Sequence, residues 1–458
     1  MDILIVIPVV ALVVYGIVKN FSAAATLAVA GMVLLSAAHL LGITDILPVD
    51  KATGFAPFDL FELMNGVFSM RMASLGLTIM ACGGFATYMS HIGASESLVN
   101  LAVKPIRRFK SPYIVLSVVY LVTVVLQMFV TSATGLGLLL MVTLYPVLRS
   151  IGLSRASAAA LCASPAAFEI GVTQVNANFA ASQSGMDITE YFLGYQAWVT
   201  IPMAITAAAL HFFWQRRCDL KEGHVAAEHV GAKDDDSKET EDKPKAPGIY
   251  ALLPMIPFVL LLVFSKMLVT TISMKLVAAM LISVFVGMIF ELIRTRNIKE
   301  SLAGFDKFLN GMGAVFGPVV GLIIGAEVFA MGLKQIGAID SLLASAQGLG
   351  IGAGFMAVFM SVLIAISAIM MGSGNAAFLS FATLAPNVAN SFGVPAVNML
   401  LPMNFAACVG RTMSPISAVV IACSGIAKVS PFDLVKRTAI PMMGSFIVGM
   451  TLHLILFM

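Results

Sequence analysis

Phe85-Ala86, Ile92-Gly93-Ala94 and Ser97-Leu98 return without a gap, at a separation of 244, as Phe329-Ala330, Ile336-Gly337-Ala338 and Ser341-Leu342. Further along, at a separation of 240 or 241, Thr143-Leu144 and Pro146 return as Thr383-Leu384 and Pro386, Gly152 as Gly393 and Ser184-Gly185 as Ser424-Gly425. The two halves therefore share one architecture. The expected division is a first repeat over 1–215, a connector over 216–247 and a second repeat over 248–458. Between positions 216 and 245 lie 16 of the 51 Asp, Glu, Lys and Arg residues. Such a stretch is too polar to pack a core and reads as a disordered loop on the cytoplasmic side.

Of the 458 residues, 59% are hydrophobic and 11% charged, and the mean hydropathy is +0.96, whereas a soluble domain carries roughly 25% charged residues. This composition excludes a soluble enzyme. It leaves an all-α polytopic membrane protein, because a helix satisfies its own backbone groups in lipid. Apolar runs of about 20 residues, enough to cross a hydrocarbon layer of roughly 30 Å, begin near 3, 21, 71, 111, 193, 249, 274, 313, 351 and 436. The first starts at Ile3 without a basic leader or a small-residue cleavage site, so it reads as a span and not a signal peptide. A net charge of +3 gives no ground for a nucleic-acid partner. The five cysteines form no CxxC pair, there is no HExxH or GxSxG, and the six histidines are dispersed. Neither a disulfide framework, a metal site nor a catalytic centre is expected.

Basic residues set the orientation. Lys19, then Lys104, Arg107, Arg108 and Lys110, then Arg149 and Arg155, then Arg216 and Arg217 all fit one cytoplasmic side and give an outside N-terminus. Residues 111–150 then form a re-entrant hairpin with its tip at Thr131 to Gly135. In the second half Arg294, Arg296, Lys299 and Lys307 precede the run at 313, and no Lys or Arg occurs between Lys334 and Arg411. The hairpin tipped by Gly372 to Asn375 therefore enters from the opposite side. Two inverted-topology repeats, each with a re-entrant hairpin and a broken helix, are the mark of secondary transporters, whose site lies near the midplane where the breaks meet.

Broken helices expose backbone groups that persist in a membrane only against water, protein or ligand. Half-helices that start at the site favour an anion, and those that end there offer carbonyls to a cation. Thr131, Ser132 and Thr134 at the first tip, Ser373 and Asn375 at the second, Thr173 and Asn176 at the first break, and Arg411, Thr412 and Ser414 at the second are the expected substrate-binding residues. The bland alternative is small-residue helix packing. Arg411 lies far from any charged loop, where a cation costs at least about 2.5 kcal/mol. Its planar guanidinium suits a carboxylate, and a structural ion pair with Glu169 is the competing reading. Glu169 and Glu327 are the candidate ion-coupling acids, Glu327 alternatively a buried helix-contact acid. His91 reads as an interfacial side chain.

The stretch Cys82-Gly83-Gly84-Phe85-Ala86-Thr87-Tyr88-Met89 with His91-Ile92-Gly93-Ala94, the tips Thr131-Ser132-Ala133-Thr134-Gly135-Leu136-Gly137 and Met371-Gly372-Ser373-Gly374-Asn375-Ala376, and the tail Ser430-Pro431-Phe432 with Val435-Lys436-Arg437-Thr438 resemble the anaerobic C4-dicarboxylate carriers DcuC and DcuD. Around Glu169 to Asn176 the sequence is more similar to the DcuD branch; in the DcuC branch an acid is expected at the place of Asn176. The resemblance covers nearly the whole chain. It implies a multi-pass carrier of succinate, fumarate, malate or aspartate in a bacterial inner membrane, working by exchange or with Na+ or H+ coupling. It also implies a homodimer with an elevator motion, in which the hairpins move past a scaffold of the other spans. The rival reading is an amino-acid or Na+/H+ antiporter on the same architecture, with Glu169 as the ion-binding acid. A channel is disfavoured, because channels keep a continuous lined pore.

Overall fold

The succession of helices recurs at the spacing of the sequence motifs. The computed structural model describes every residue except 1, 20, 44, 49, 104–111, 225–245, 265–271, 273, 339–340 and 342–351. The described residues form helices and turns, with no strand among them. In the first half α1 (Asp2–Val18) and α2 (Ala23–Leu40) precede α3 (Ala56–Arg71), which runs through a π turn at Met72–Gly76 into α4 (Leu77–His91). Then come α5 (Ala94–Val103), α6 (Pro112–Gln127), α7 (Ala133–Thr143), α8 (Tyr145–Ser150), α9 (Arg155–Ala163), α10 (Val175–Gln183) and the long α11 (Ile188–Lys221). After a 3-10 segment, Gly248–Met255, follow α12 (Ile256–Val263), α13 (Leu276–Thr295), α14 (Ile298–Gln335), α15 (Ala353–Met371) and α16 (Gly374–Ala382). The chain ends with α17 (Ala385–Ser391), α18 (Val397–Thr412), α19 (Ala418–Ala427) and α20 (Pro431–Phe457).

The correspondence extends to local irregularities. A π turn at Phe316–Gly321 interrupts α14, and its start stands to the start of the π turn between α3 and α4 as Phe329 stands to Phe85. Ser132 caps α7 by accepting from the Gly135 N–H, and Ser373 caps α16 by accepting from the Ala376 N–H. Asp187 and Ser430 cap α11 and α20 in the same way, each satisfying an orphan donor of the first turn. Gly152 and Gly393 both adopt positive φ, at 95° and 66°, where a side chain would be strained.

Helix lengths separate spans from shorter pieces. Among the described residues, six helices are long and apolar enough to cross a membrane: Ala23–Leu40, Ile188–Lys221, Leu276–Thr295, Ile298–Gln335, Ala353–Met371 and Pro431–Phe457. The run from 111 is the 16-residue α6 followed by the 11-residue α7, parted beside the expected tip. At 1.5 Å per residue α6 reaches roughly 24 Å, short of a full crossing. The run expected from 71 is part of α3 and α4, divided by the π turn.

Small residues let the helices approach closely, as membrane packing favours. A Cβ added to Gly31 of α2 would lie 2.5 Å from the Val328 carbonyl carbon of α14, and one on Gly84 of α4 would lie 2.5 Å from the Phe308 oxygen. One on Gly410 of α18 would meet the Ala365 oxygen of α15 at 2.5 Å. All 16 residues of α18 are buried, which places this helix at the centre of the molecule.

Within the stretch expected as connector, Arg216 to Lys221 continue α11 as helix, and Asp219 there forms a buried ion pair with Arg437 at 2.7 Å. Positions 225–245, with most of the expected connector, lie outside the described residues, as do the basic residues Lys104 to Lys110.

Candidate functional site

Arg411 stands in the last turn of α18, and Glu169 in the irregular stretch between α9 and α10. They meet: Arg411 Nη1 donates to Glu169 Oε1 at 2.8 Å, and Nη2 donates to the Ala166 carbonyl at 2.5 Å. Both are buried, with 8% and 3% of their surface exposed. The guanidinium therefore divides its donors between a carboxylate and a helix-end carbonyl. Among the described residues, Arg411 Nε, Glu169 Oε2 and Asn176 Oδ1 are buried without a hydrogen-bond partner. Asn176 opens α10, and its Nδ2 approaches the Cys408 sulfur of α18 at 3.8 Å. Glu169 also adjoins that thiol.

Glu169 adopts a left-handed backbone, φ 40°, which is uncommon for a residue with a side chain. The Gln196 side chain fixes this bend. Its amide nitrogen donates to the Glu169 carbonyl at 3.0 Å, while its oxygen accepts from the Gly171 N–H at 3.2 Å. Gln196 closes the π turn of α11 at Phe192–Gln196, so that turn braces the break.

The tips lie against the breaks. Thr173 donates to the Met128 carbonyl at 2.9 Å and Gln174 Nε2 to the Gln127 carbonyl at 2.6 Å, tying the end of α6 to the first break. Ser414 donates to the Ile369 carbonyl of α15 at 2.6 Å. A Cβ on Gly374 would come within 3.4 Å of Arg411 Cβ, so the second tip rests on the turn that carries the guanidinium. Asn375 there has a buried Oδ1 without a partner among the described residues.

The expected binding residues therefore divide. Arg411, Glu169 and Asn176 form one buried polar group, with Asn375 on the adjoining tip. Ser132 and Ser373 direct their hydroxyls to helix capping, and Thr173 and Ser414 direct theirs to hairpin carbonyls. Thr412 donates to the Cys408 carbonyl of its own helix at 3.0 Å. Thr131 and Thr134 are half-buried at the first tip. Glu327 pairs with a different cation, its Oε2 2.5 Å from Arg71 Nη2. The two charges touch without a well-aligned hydrogen bond, since Glu327 Oε2 and Arg71 Nε satisfy no hydrogen-bond geometry among the described residues. His91 is exposed at the end of α4.

A second polar group joins the halves. Arg437 of α20 pairs with Asp219 at 2.7 Å and Glu222 at 2.6 Å. Asp219 also accepts from Ser154 at 2.6 Å, Ser157 at 2.9 Å and Tyr113 at 3.0 Å. Gln215 donates to the Arg437 carbonyl at 2.8 Å and reaches His211 Nδ1, while His211 Nε2 approaches the Ser164 hydroxyl at 3.3 Å beside the first break. Sequence reading missed this group. One available signal was the recurrence of His211 in the second half as His453, whose Nε2 lies 2.7 Å from the Asn398 carbonyl. Among the described residues no cluster of three or more His, Cys, Asp or Glu is arranged to hold a metal.

The family of the C4-dicarboxylate anaerobic carrier matches residues 1–458. The anaerobic C4-dicarboxylate transporters DcuC of Escherichia coli strain K12 and of Shigella flexneri are each 36% identical over 433 residues, covering 94% of this chain and 92% of the relative. In fold, the chain is similar to the YdaH transporter of Alcanivorax borkumensis, with a TM-score of 0.65 at 16% identity over 92% of this chain and 95% of that one. It is likewise similar to MtrF of Neisseria gonorrhoeae, with a TM-score of 0.63 at 13% identity over 95% of both chains.

Proposed function

The chain belongs to the DcuC family of anaerobic C4-dicarboxylate carriers, and on that premise we propose that it moves succinate, fumarate, malate or aspartate through a midplane site built on Arg411. It is a transporter of the inner membrane and not an enzyme. The observation that carries the reading is the buried guanidinium at a helix end, held by one carboxylate oxygen and one carbonyl, with Nε left over. A planar fork of this kind accepts a carboxylate through two parallel hydrogen bonds. The nearby tips supply helix N-termini, whose partial positive charge favours the anion.

In this reading the repeats are inverted, and the hairpins α6–α7 and α15–α16 travel with the breaks past a scaffold of the remaining spans. Recurrence of the π turns, caps and helix starts supports two equivalent halves. Transport proceeds by exchange or with a coupling cation, and the carrier works as a homodimer.

Counterflow in proteoliposomes tests the substrate class. Vesicles loaded with succinate should accumulate labelled fumarate and aspartate but neither citrate nor arginine. Accumulation of arginine alone would replace this reading with an amino-acid exchanger.

A further inference from the structure

Glu169 and Arg411 are separated by 242 residues, the separation at which α9 and α18 begin. Opposite charges thus occupy matching places in the two halves and neutralise each other across the site. The pairing is half complete, since Glu169 Oε2, Asn176 Oδ1 and Arg411 Nε have no partner among the described residues. These leftover valences are of two kinds. Succinate and fumarate bring only acceptors, so they can take the Arg411 donors but can satisfy neither Glu169 Oε2 nor Asn176 Oδ1. A substrate carboxylate on Arg411 would also leave the buried Glu169 charge without its counter-ion, which is costly.

One proton removes both difficulties. Resting on the carboxylate-clamp reading above, we propose that Glu169 is a resident stand-in for the substrate, occupying Arg411 in the empty carrier and yielding it by taking up one proton when a dicarboxylate binds. In the step, a proton from the medium bonds to Glu169, the Glu169–Arg411 ion pair opens, and the substrate carboxylate accepts from the guanidinium. The neutral acid then carries one O–H, a donor that the carboxylate lacked. Among the described residues, the titratable and charged groups facing Glu169 are Arg411 and the Cys408 thiol on α18, with Tyr191 of α11 one neighbour beyond that thiol. α10 presents Asn176, and α11 presents the Gln196 amide. The second tip carries only Ser373 and Asn375.

The sign follows from linkage. The substrate-bound form holds one more proton than the empty carrier, so affinity falls as pH rises, by up to about tenfold per pH unit. Titrating the purified full chain with succinate by calorimetry, in phosphate and in Tris at the same pH near 7.5, reads this directly. The two heats should differ by roughly one buffer ionisation enthalpy. Affinity should fall between about pH 7 and pH 8, where succinate itself is fully ionised. Glu169→Gln should bind succinate with no buffer dependence and a flat pH profile. Identical wild-type heats in the two buffers would overturn the proposal, even if Glu169→Gln does not fold. So would proton uptake that persists in Glu169→Gln, or binding that needs sodium and takes up no proton. No heat at all with succinate would overturn the clamp reading and this proposal with it.

Discussion

Thr173 and Ser414 hold matching places in the two repeats and make the same bond: Thr173 donates to the Met128 carbonyl at 2.9 Å, and Ser414 to the carbonyl of Ile369, the residue that matches Met128 at the same separation, at 2.6 Å. Each accepting carbonyl sits at the end of the first hairpin helix, where the last C=O groups lack helical partners. Each hydroxyl thus closes a hairpin onto the break beside it, and the two closures are equivalent.

Removing either hydroxyl should loosen one hairpin and leave a half-buried carbonyl unpaired, at up to about 1–3 kcal/mol. Thr173→Val and Ser414→Ala should each lower the thermal midpoint of the purified carrier and slow exchange by similar amounts. A change of either residue that leaves both readouts at wild-type values would mean that the bonds do not hold the hairpins.

The proposed inversion of the halves places equivalent loops on opposite sides. Arg155 and Ser391 are both exposed, at the start of α9 and at the end of α17. In intact spheroplasts Ser391→Cys should react with a membrane-impermeant maleimide, while Arg155→Cys should react only after the membrane is opened. Labelling of both from one side would show parallel repeats.

The repeat was legible because its motifs combine glycines and small polar residues whose positions the backbone dictates. Glu169 and Arg411 were legible as a pair because no other charge lies near either break. The roles of Thr173 and Ser414 were not. A hydroxyl at a break reads as a ligand contact until the fold shows which carbonyl stands opposite. Asp219 and Arg437 were hidden for a different reason. Asp219 lies in a charged run, and Arg437 follows Lys436 at a membrane edge, so each reads as solvated. Only the packing of α11 on α20 buries them together.

That burial gives Arg437 a testable asymmetry. Asp219 is fully buried, whereas the Glu222 side chain is 60% exposed. Arg437→Ala should strand the Asp219 charge and cost about 3–5 kcal/mol, seen as loss of folded carrier in detergent. Glu222→Gln should cost at most about 1 kcal/mol, as for exposed pairs. Equal losses would place the stabilising pair at the surface.

Close helix crossing makes a similar contrast between glycines. Gly31→Ala would drive a methyl into the Val328 backbone of α14 and should separate α2 from α14, lowering the thermal midpoint by several degrees. Gly66 has nothing within 4 Å of its would-be Cβ. Gly66→Ala in the interior of α3 should therefore be neutral or stabilising, by up to about 1 kcal/mol.

Arg411 separates a structural pair from a substrate clamp. Because Glu169 is 3% exposed, Arg411→Ala leaves a buried carboxylate without its counter-charge and should destabilise by about 3–5 kcal/mol. Adding Glu169→Gln removes that charge and should restore folding, a coupling that a double-mutant cycle measures as non-additivity. Binding should respond differently. If Arg411 serves only to neutralise Glu169, the refolded double variant should bind succinate with wild-type affinity. As a clamp it is needed for the substrate itself, so the double variant should fold and insert yet fail to bind, and Arg411→Lys should fold but bind more weakly by about 1–3 kcal/mol for want of the planar fork. Wild-type succinate affinity in the folded double variant would remove Arg411 from the substrate site and leave it a structural partner of Glu169 alone.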